Sequence, residues 1–363
     1  MTVQASWPTN TWYVAFSSDE ITDKPQGRQI CGQRMVFYRT QNEKIAALAD
    51  FCPHRGAPLS LGYVNDEGDL VCGYHGMVMN CDGNCKSMPG QRVNAFPGIT
   101  AYPVEERYGF IWVWPGDAEK ADTDLIPKFD FFDDPNWAYG GGVYHINCNY
   151  KLMVDNLMDL THETYVHATS IGQPEIEDEA PDSFKDGDTV VTKRTMESIK
   201  APPFWQNALK FNDLEPTADV DRWQISRFTP PSHIMINVGV AIAGKGGFDA
   251  PADQKASSVV VDFITPESET SIWYYWGMAR NFKAHDAELT DKIREGQGGI
   301  FQEDLEVLER QQANLKAFPD YDLLKLNIDA GGVQSRRVIE RIIKAETAVQ
   351  MTPKDAPLQT ISF

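Results

Sequence analysis

Two short segments of the chain each pair a cysteine with a histidine. Cys52-Pro53-His54 is followed, after the 17 residues 55–71, by Cys72-Gly73-Tyr74-His75. Each segment offers one thiolate and one imidazole. Two such loops can hold a [2Fe–2S] cluster, with both cysteines on one iron and both histidines on the other. A neutral imidazole in place of a thiolate leaves the cluster less negative and easier to reduce. The potential then falls at about −150 to +300 mV rather than about −400 mV. Zinc also accepts two cysteines and two histidines, but zinc fingers usually put both cysteines in one segment, whereas here the segments are mixed. Gly56, Gly62, Gly73 and Gly76 surround the four residues, as close backbone approach to a cluster requires.

A second constellation follows about 80 residues later. Asn156-Leu-Met-Asp159-Leu-Thr-His162-Glu-Thr-Tyr-Val-His167 contains D-x2-H-x4-H. Two imidazoles and one carboxylate form the facial triad of non-haem Fe(II) oxygenases, which leaves coordination positions open. On an ideal helix His162 and His167 stand about 140° apart, so a local π-type distortion is expected there. The carboxylate has to come from another segment. Asp304, in Phe301-Gln302-Glu303-Asp304-Leu305, lies on the edge of an apolar stripe, about 60° from Phe301 and about 40° from Leu308. An acid so placed is costly unless paired or metal-bound. Glu303 and Glu306 point away from the stripe and read as solvated charges. Cys81, Cys85, Cys31 and Cys148 read as ordinary thiols.

The elements around these residues suggest two unequal domains. Between Thr11 and Pro115 short β-branched and aromatic runs, such as Met35–Tyr38 and Phe110–Trp114, are punctuated by Gly, Pro, Asn and Asp, the pattern of a small all-β domain. An acidic stretch, 118–135, reads as a linker. Beyond it Tyr150 to His167 reads as one helix, and Gly187–Met196, Ser257–Ile264 and Ser271–Ala279 as strands. From Asp286 the pattern turns helical, with Phe301, Leu305, Leu308 and Leu315 on one face. The expected bounds are 1–117, 118–135, 136–350 and a polar tail, 351–363.

Composition narrows the partners. The chain of 363 residues carries 33 Lys+Arg against 52 Asp+Glu, a formal charge of −19. That excess opposes binding to nucleic acid and to anionic membranes. No apolar run reaches the length of a membrane span. The first ten residues lack a basic region followed by an apolar one, so a cytoplasmic location is expected. The chain has no Gly-rich dinucleotide fingerprint, so reducing equivalents would reach it through another protein.

These residues resemble those of the Rieske non-haem iron oxygenases, and among them the vanillate O-demethylase branch. The similarity extends through Phe51–Gly62, Met88–Val93, Val104–Gly116, Trp137–Gly142, Asn156–His167, Ala201–Trp205, Asp262–Ser268 and Asn327–Arg337. The resemblance implies an α+β chain: an N-terminal all-β Rieske domain, then a helix-grip-like antiparallel sheet with helices. It implies Cys52, His54, Cys72 and His75 as ligands of the [2Fe–2S] cluster, and His162, His167 and Asp304 as ligands of a mononuclear Fe(II). It also implies that Asp159 bridges His75 of one subunit to His162 of the next, in a homotrimer, with Asn156 near the iron. NADH would supply electrons through a separate flavin/[2Fe–2S] reductase, and O2 and a small aromatic acid would be the substrates. Candidate anchors for the substrate's carboxylate, chosen by charge and segment, are Arg227, His233, Lys245 and Arg280. Phe204, Trp205 and Trp273 could pack on its ring. Rival readings are a sulfonate- or dicamba-type oxygenase, a ring-dihydroxylating dioxygenase, and an electron carrier that would need only the first 115 residues or so.

Overall fold

The structure, a computed structural model, describes residues 6–350. The expected tail, 351–363, lies outside the described residues. The N-terminal third is built from short strands: β1 (Tyr13–Ser17), β2 (Gln26–Ile30), β3 (Gln33–Arg39), β4 (Ile45–Ala49), β5 (Tyr63–Val64), β6 (Leu70–Val71), β7 (Val78–Met79), β8 (Cys85–Ser87), β9 (Ala101–Tyr102), β10 (Val104–Arg107) and β11 (Phe110–Val113). They form three small sheets, β1-β11-β10, β2-β3-β4-β9 and β5-β6-β7-β8. The two Cys/His loops lie just before β5 and between β6 and β7.

The segment expected as a linker is packed rather than loose. It contains the short helix α1 (Asp130–Asp133), and Ile126 and Phe129 are buried in an apolar cluster.

The larger part is one antiparallel sheet of seven strands: β12 (Ala138–Ile146), β13 (Asp182–Asp186), β14 (Thr189–Lys200), β15 (Asp219–Thr229), β16 (His233–Ile242), β17 (Lys255–Ser268) and β18 (Ser271–Arg280). Their spatial order is β12-β18-β17-β16-β15-β14-β13. Around it lie α2 (Tyr150–Met158), α3 (Glu163–Val166), α4 (Pro203–Phe211), α5 (Ala287–Ala317) and α6 (Ala330–Gln350).

Side chains alternate across a strand, and the central strands use both faces. Val260, Ile264, Tyr274, Trp276 and Met278 join Met153, Phe301, Leu308 and Ile339 in the core beneath the helices. Val259, Val261, Phe263 and Tyr275 join Trp12, Phe110 and Trp112 of the N-terminal domain on the opposite face. Burial on both sides explains why β17 reads Val-Val-Val-Asp-Phe-Ile, almost without polar interruption. Helix α5 comes unusually close to the sheet at Gly298, where a Cβ would stand 2.8 Å from the Trp276 ring. That contact sets the height of α5, and with it the positions of the residues it carries.

Candidate metal centres and the cavity between them and the sheet

The cysteine–histidine loops have the same backbone construction. The amide of Cys52 donates to the carbonyl of Ala57 and its carbonyl accepts from Gly56, both at 2.8 Å; Cys72 repeats this with Met77 at 2.8 Å and Gly76 at 3.0 Å. Each closing glycine has a positive φ, +69° at Gly56 and +74° at Gly76, a conformation that favours glycine. Both cysteines are buried, and burial together with the adjacent Cys72 thiol pushes the Cys52 thiol up. The His54 and His75 rings are exposed with centroids 4.6 Å apart. Two inner sulfurs and two outer imidazoles, held by matching loops, fit the donor set of a cluster with one iron on a pair of cysteines and the other on a pair of histidines.

The second group converges from three elements. The expected single helix from Tyr150 to His167 is interrupted. Helix α2 stops at Met158, Asp159 is extended (φ −98°, ψ 122°), and His162 then caps α3. The distortion is therefore an extended break rather than a π-type turn. Asp159 spends one carboxylate oxygen on the next turn, accepting from the Thr161 amide and hydroxyl at 2.7 Å each, and this local bonding competes with continued helix. His162 and His167 thus sit at the two ends of a single helical turn. Across from them α5 delivers Asp304, buried, with Oδ1 3.6 Å from His162 Nε2 and Oδ2 3.3 Å from His167 Nε2. One donor atom from each of the three lies within 4.8 Å of the others.

Carboxylates stand behind both rings. Glu303 Oε2 is 2.6 Å from His167 Nδ1, and Asp159 Oδ2 is 3.8 Å from His162 Nδ1, too long for a hydrogen bond. The Nδ1 of His162 is buried without a hydrogen-bond partner. Burial pulls the imidazole pKa values down, but Asp159 and Asp304 outweigh it at His162, and Asp304 and Glu303 at His167, so both are raised. At Asp159 burial is outweighed by His162 and Thr161, so its pKa is lowered. Asn156 Nδ2 donates to Asp304 Oδ1 at 3.0 Å. The Glu303 carboxylate at Nδ1 leaves the His167 Nε2 lone pair for a metal, and with His162 Nε2 and the fixed Asp304 carboxylate the donor set fits ferrous iron. The sequence reading of Glu303 as a solvated charge is corrected by this contact.

A cavity opens on these three residues. Its floor is one face of the sheet, with Ile236, Val238, Val260 and Met278. Phe204 and Trp205 of α4 also line it; Trp273 does not, packing instead on His145 and beneath Arg28. At the β15 end the buried Arg222 binds Glu163 Oε2 at 3.1 Å and Gln173 Oε1 at 2.7 Å. Gln224 donates to Glu163 and accepts from Arg194 at 2.6 Å. Glu163 thus meets Arg222 directly and Arg194 only through Gln224.

None of the four anchors expected from charge lines this cavity. Arg227 binds Asn237 Oδ1 at 2.6 Å, and Lys245 lies exposed in the turn after β16. His233 is buried against Trp112 and Phe263, with Nε2 3.1 Å from the Trp12 carbonyl oxygen, at the junction with the N-terminal domain. Arg280 ties the end of β18 to the start of α5 through the Lys283 and Asp286 carbonyls. Charge and segment identified cations but not which face of a strand they occupy. Arg222, Gln224, Glu163 and Gln297, which do line the cavity, were passed over. Gln297 had a usable signal, since it precedes Asp304 by seven residues on one helix.

Residues 11–103 match the Rieske [2Fe-2S] domain, and residues 146–345 match the vanillate O-demethylase oxygenase C-terminal domain. The chain belongs to the Rieske non-haem iron oxygenases. It is 66% identical to the vanillate O-demethylase oxygenase subunit of a Pseudomonas species, over 94% of this chain and 96% of that one. It is 35% identical to the dicamba O-demethylase oxygenase component of Stenotrophomonas maltophilia, over 93% and 98% of the two chains. A crystal structure of dicamba monooxygenase bound to 3,6-dichlorosalicylic acid superimposes with a TM-score of 0.85 at 33% identity, covering 94% of this chain and 98% of that one. The oxygenase is therefore the terminal component of an O-demethylase, with a Rieske cluster and a mononuclear iron as cofactors and a separate reductase as partner. The electron-carrier reading is set aside by the whole second domain. Among the described residues no helix is long and apolar enough to cross a membrane.

Proposed function

We propose that this oxygenase O-demethylates vanillate to protocatechuate and formaldehyde, with NADH as electron source through a flavin/[2Fe–2S] reductase. The overall balance is one O2, one NADH and one proton consumed, with one water and NAD+ released beside the two products. The observation that carries the reading is the 66% identity to a vanillate O-demethylase oxygenase subunit over nearly the full chain. An apolar, flat-floored cavity facing the three-donor group supports it.

In this reading Cys52, His54, Cys72 and His75 hold the cluster, and His162, His167 and Asp304 hold the iron. Together the two groups supply electron storage and oxygen activation when bound. The chain's own part is placement. Phe204 and the Ile236–Val260 floor hold the ring and exclude water, Asn156 fixes the Asp304 carboxylate, and Glu303 fixes the His167 ring. The catalytic chain is a homotrimer in the cytoplasm. There Asp159, with one oxygen still turned to His162, meets the partner subunit's His75. The exposure of Tyr74 (64%) and Leu61 (77%) beside the cluster loops, and of Tyr165 (73%) on α3, supports such a contact.

The test is turnover of the purified chain with vanillate, NADH, O2 and a phthalate-type flavin reductase. Formaldehyde and protocatechuate should appear in equal amounts, one pair per NADH. Absence of both, with cluster and iron present, rejects vanillate as substrate while leaving the family standing.

A further inference from the structure

The wall of the cavity contributed by α5 holds a polar group that nothing satisfies. Gln297 is 6% exposed and lines the cavity, yet its side-chain amide has no hydrogen-bond partner among the described residues. Its amide atoms keep some accessible surface, so they open on the cavity and can meet a ligand group there. The other polar side chains of the cavity are engaged in part, with Asn156 Oδ1 and Arg222 Nε left without partners. Asn156 donates to Asp304, Gln224 bridges Glu163 and Arg194, and both terminal nitrogens of Arg222 are committed. The surroundings of Gln297 include Met278, Ile300 and Phe301, so a ligand that leaves the amide unpaired pays its full desolvation cost.

Position decides which ligand group is meant. Gln297 and Asp304 are seven residues apart on one helix, hence on the same face and about 10 Å apart along its axis. A methoxy carbon presented at Asp304 leaves the ring's adjacent oxygen close to the metal end. The substituent across the ring is the one that reaches two turns back along α5. We infer that Gln297 is the specificity-determining donor for the carboxylate of the aromatic acid, with Nε2 donating to a carboxylate oxygen. The inference rests on the proposed activity and deepens it.

The experiment measures equilibrium binding of vanillate, 3-methoxybenzoate (no phenol) and guaiacol (no carboxylate) to the anaerobic holoenzyme. Wild type is compared with Gln297→Met and Gln297→Glu, after cluster absorbance and iron content are matched. Gln297→Met should weaken vanillate and 3-methoxybenzoate about 10- to 100-fold, the worth of a hydrogen bond to a charged group, and leave guaiacol within about twofold. Gln297→Glu should weaken the two acids further and still spare guaiacol, which a merely packing role does not predict. Loss for vanillate and guaiacol but not 3-methoxybenzoate would assign the amide to the phenol and overturn the inference. Equal losses for all three ligands, or none, also overturn it. If wild type itself fails to bind vanillate, the proposed substrate falls first, and that result is distinct from an unaffected variant.

Discussion

Consecutive acids on α5 grip one imidazole from both sides: Glu303 Oε2 lies 2.6 Å from His167 Nδ1, and Asp304 Oδ2 lies 3.3 Å from His167 Nε2. Neighbouring helix positions differ by about 100°, so two adjacent side chains can straddle a ring standing edge-on to the helix. Replacing Glu303 by Ala should free the ring's tautomer and weaken ferrous-iron binding about 10- to 100-fold. Gln, which can still accept from Nδ1, should restore most of it. Equilibrium dialysis of iron against the apo-site reads this directly, and unchanged affinity in the Ala variant would remove Glu303 from the site.

Asp159 predicts a different failure. Asn at this position still accepts from the Thr161 amide, so the break before α3 should persist. Its charge is lost, and with it the electrostatic support of His162. Cluster and iron should both remain, while steady-state turnover falls about 100-fold. Reduction of the cluster by the reductase should be unchanged, whereas a single turnover of pre-reduced enzyme should slow in parallel, because the impaired step lies between cluster and iron. A variant with near wild-type steady-state rates would remove Asp159 from the route.

The Glu163 ion pair concerns stability. Removing one partner of a buried pair leaves the other charge unmet, at a cost of about 3–5 kcal/mol. Glu163→Ala strands Arg222 and takes an acceptor from Gln224, so urea unfolding should move by that amount. Exposed pairs such as Lys292–Glu288 provide the contrast, with effects of about 0.5 kcal/mol or less.

Acid sensitivity follows from His233. Burial pushes its pKa down to about 4, although the Trp12 carbonyl opposes this. The unfolded chain takes up its proton near pH 6.5 and the folded one only near 4, so protons favour unfolding between these values. Stability should decline as pH falls from about 6.5 to about 4, by about 3 kcal/mol from this residue. His233 sits where the two domains meet; His233→Phe should abolish this decline, so the wild-type-minus-variant difference should fall as pH drops through that window. Tm measured at half-unit pH steps checks this; parallel curves would contradict it.

The strand-rich N-terminal part and the long α5 were legible because their signals are local: β-branched runs with turn residues between them, and an apolar stripe with Asp304 on its edge. The paired Cys/His loops were legible for the same reason, since each is contiguous. What escaped was non-local or depended on parity. The break after Met158 comes from Asp159 bonding forward to Thr161, a competition that helical periodicity does not register. Arg222 lines the cavity because it alternates with residues facing the other way on β15, while Arg227, five residues on, occupies the opposite parity. Glu303 lies off the apolar stripe, and only the placement of α3 against α5 brings His167 to it.

The two-sided burial of the central strands bears on how such enzymes diverge. Along β16 and β17, Ile236, Val238 and Val260 shape the cavity, whereas Met235, Val259 and Val261 secure the cluster-bearing domain. Residue parity thus partitions one stretch of chain into a substrate-facing register and an assembly-facing register. Selection for a new aromatic ring can rewrite the first without touching the second, so substrate preference can drift while the electron-transfer scaffold is inherited intact.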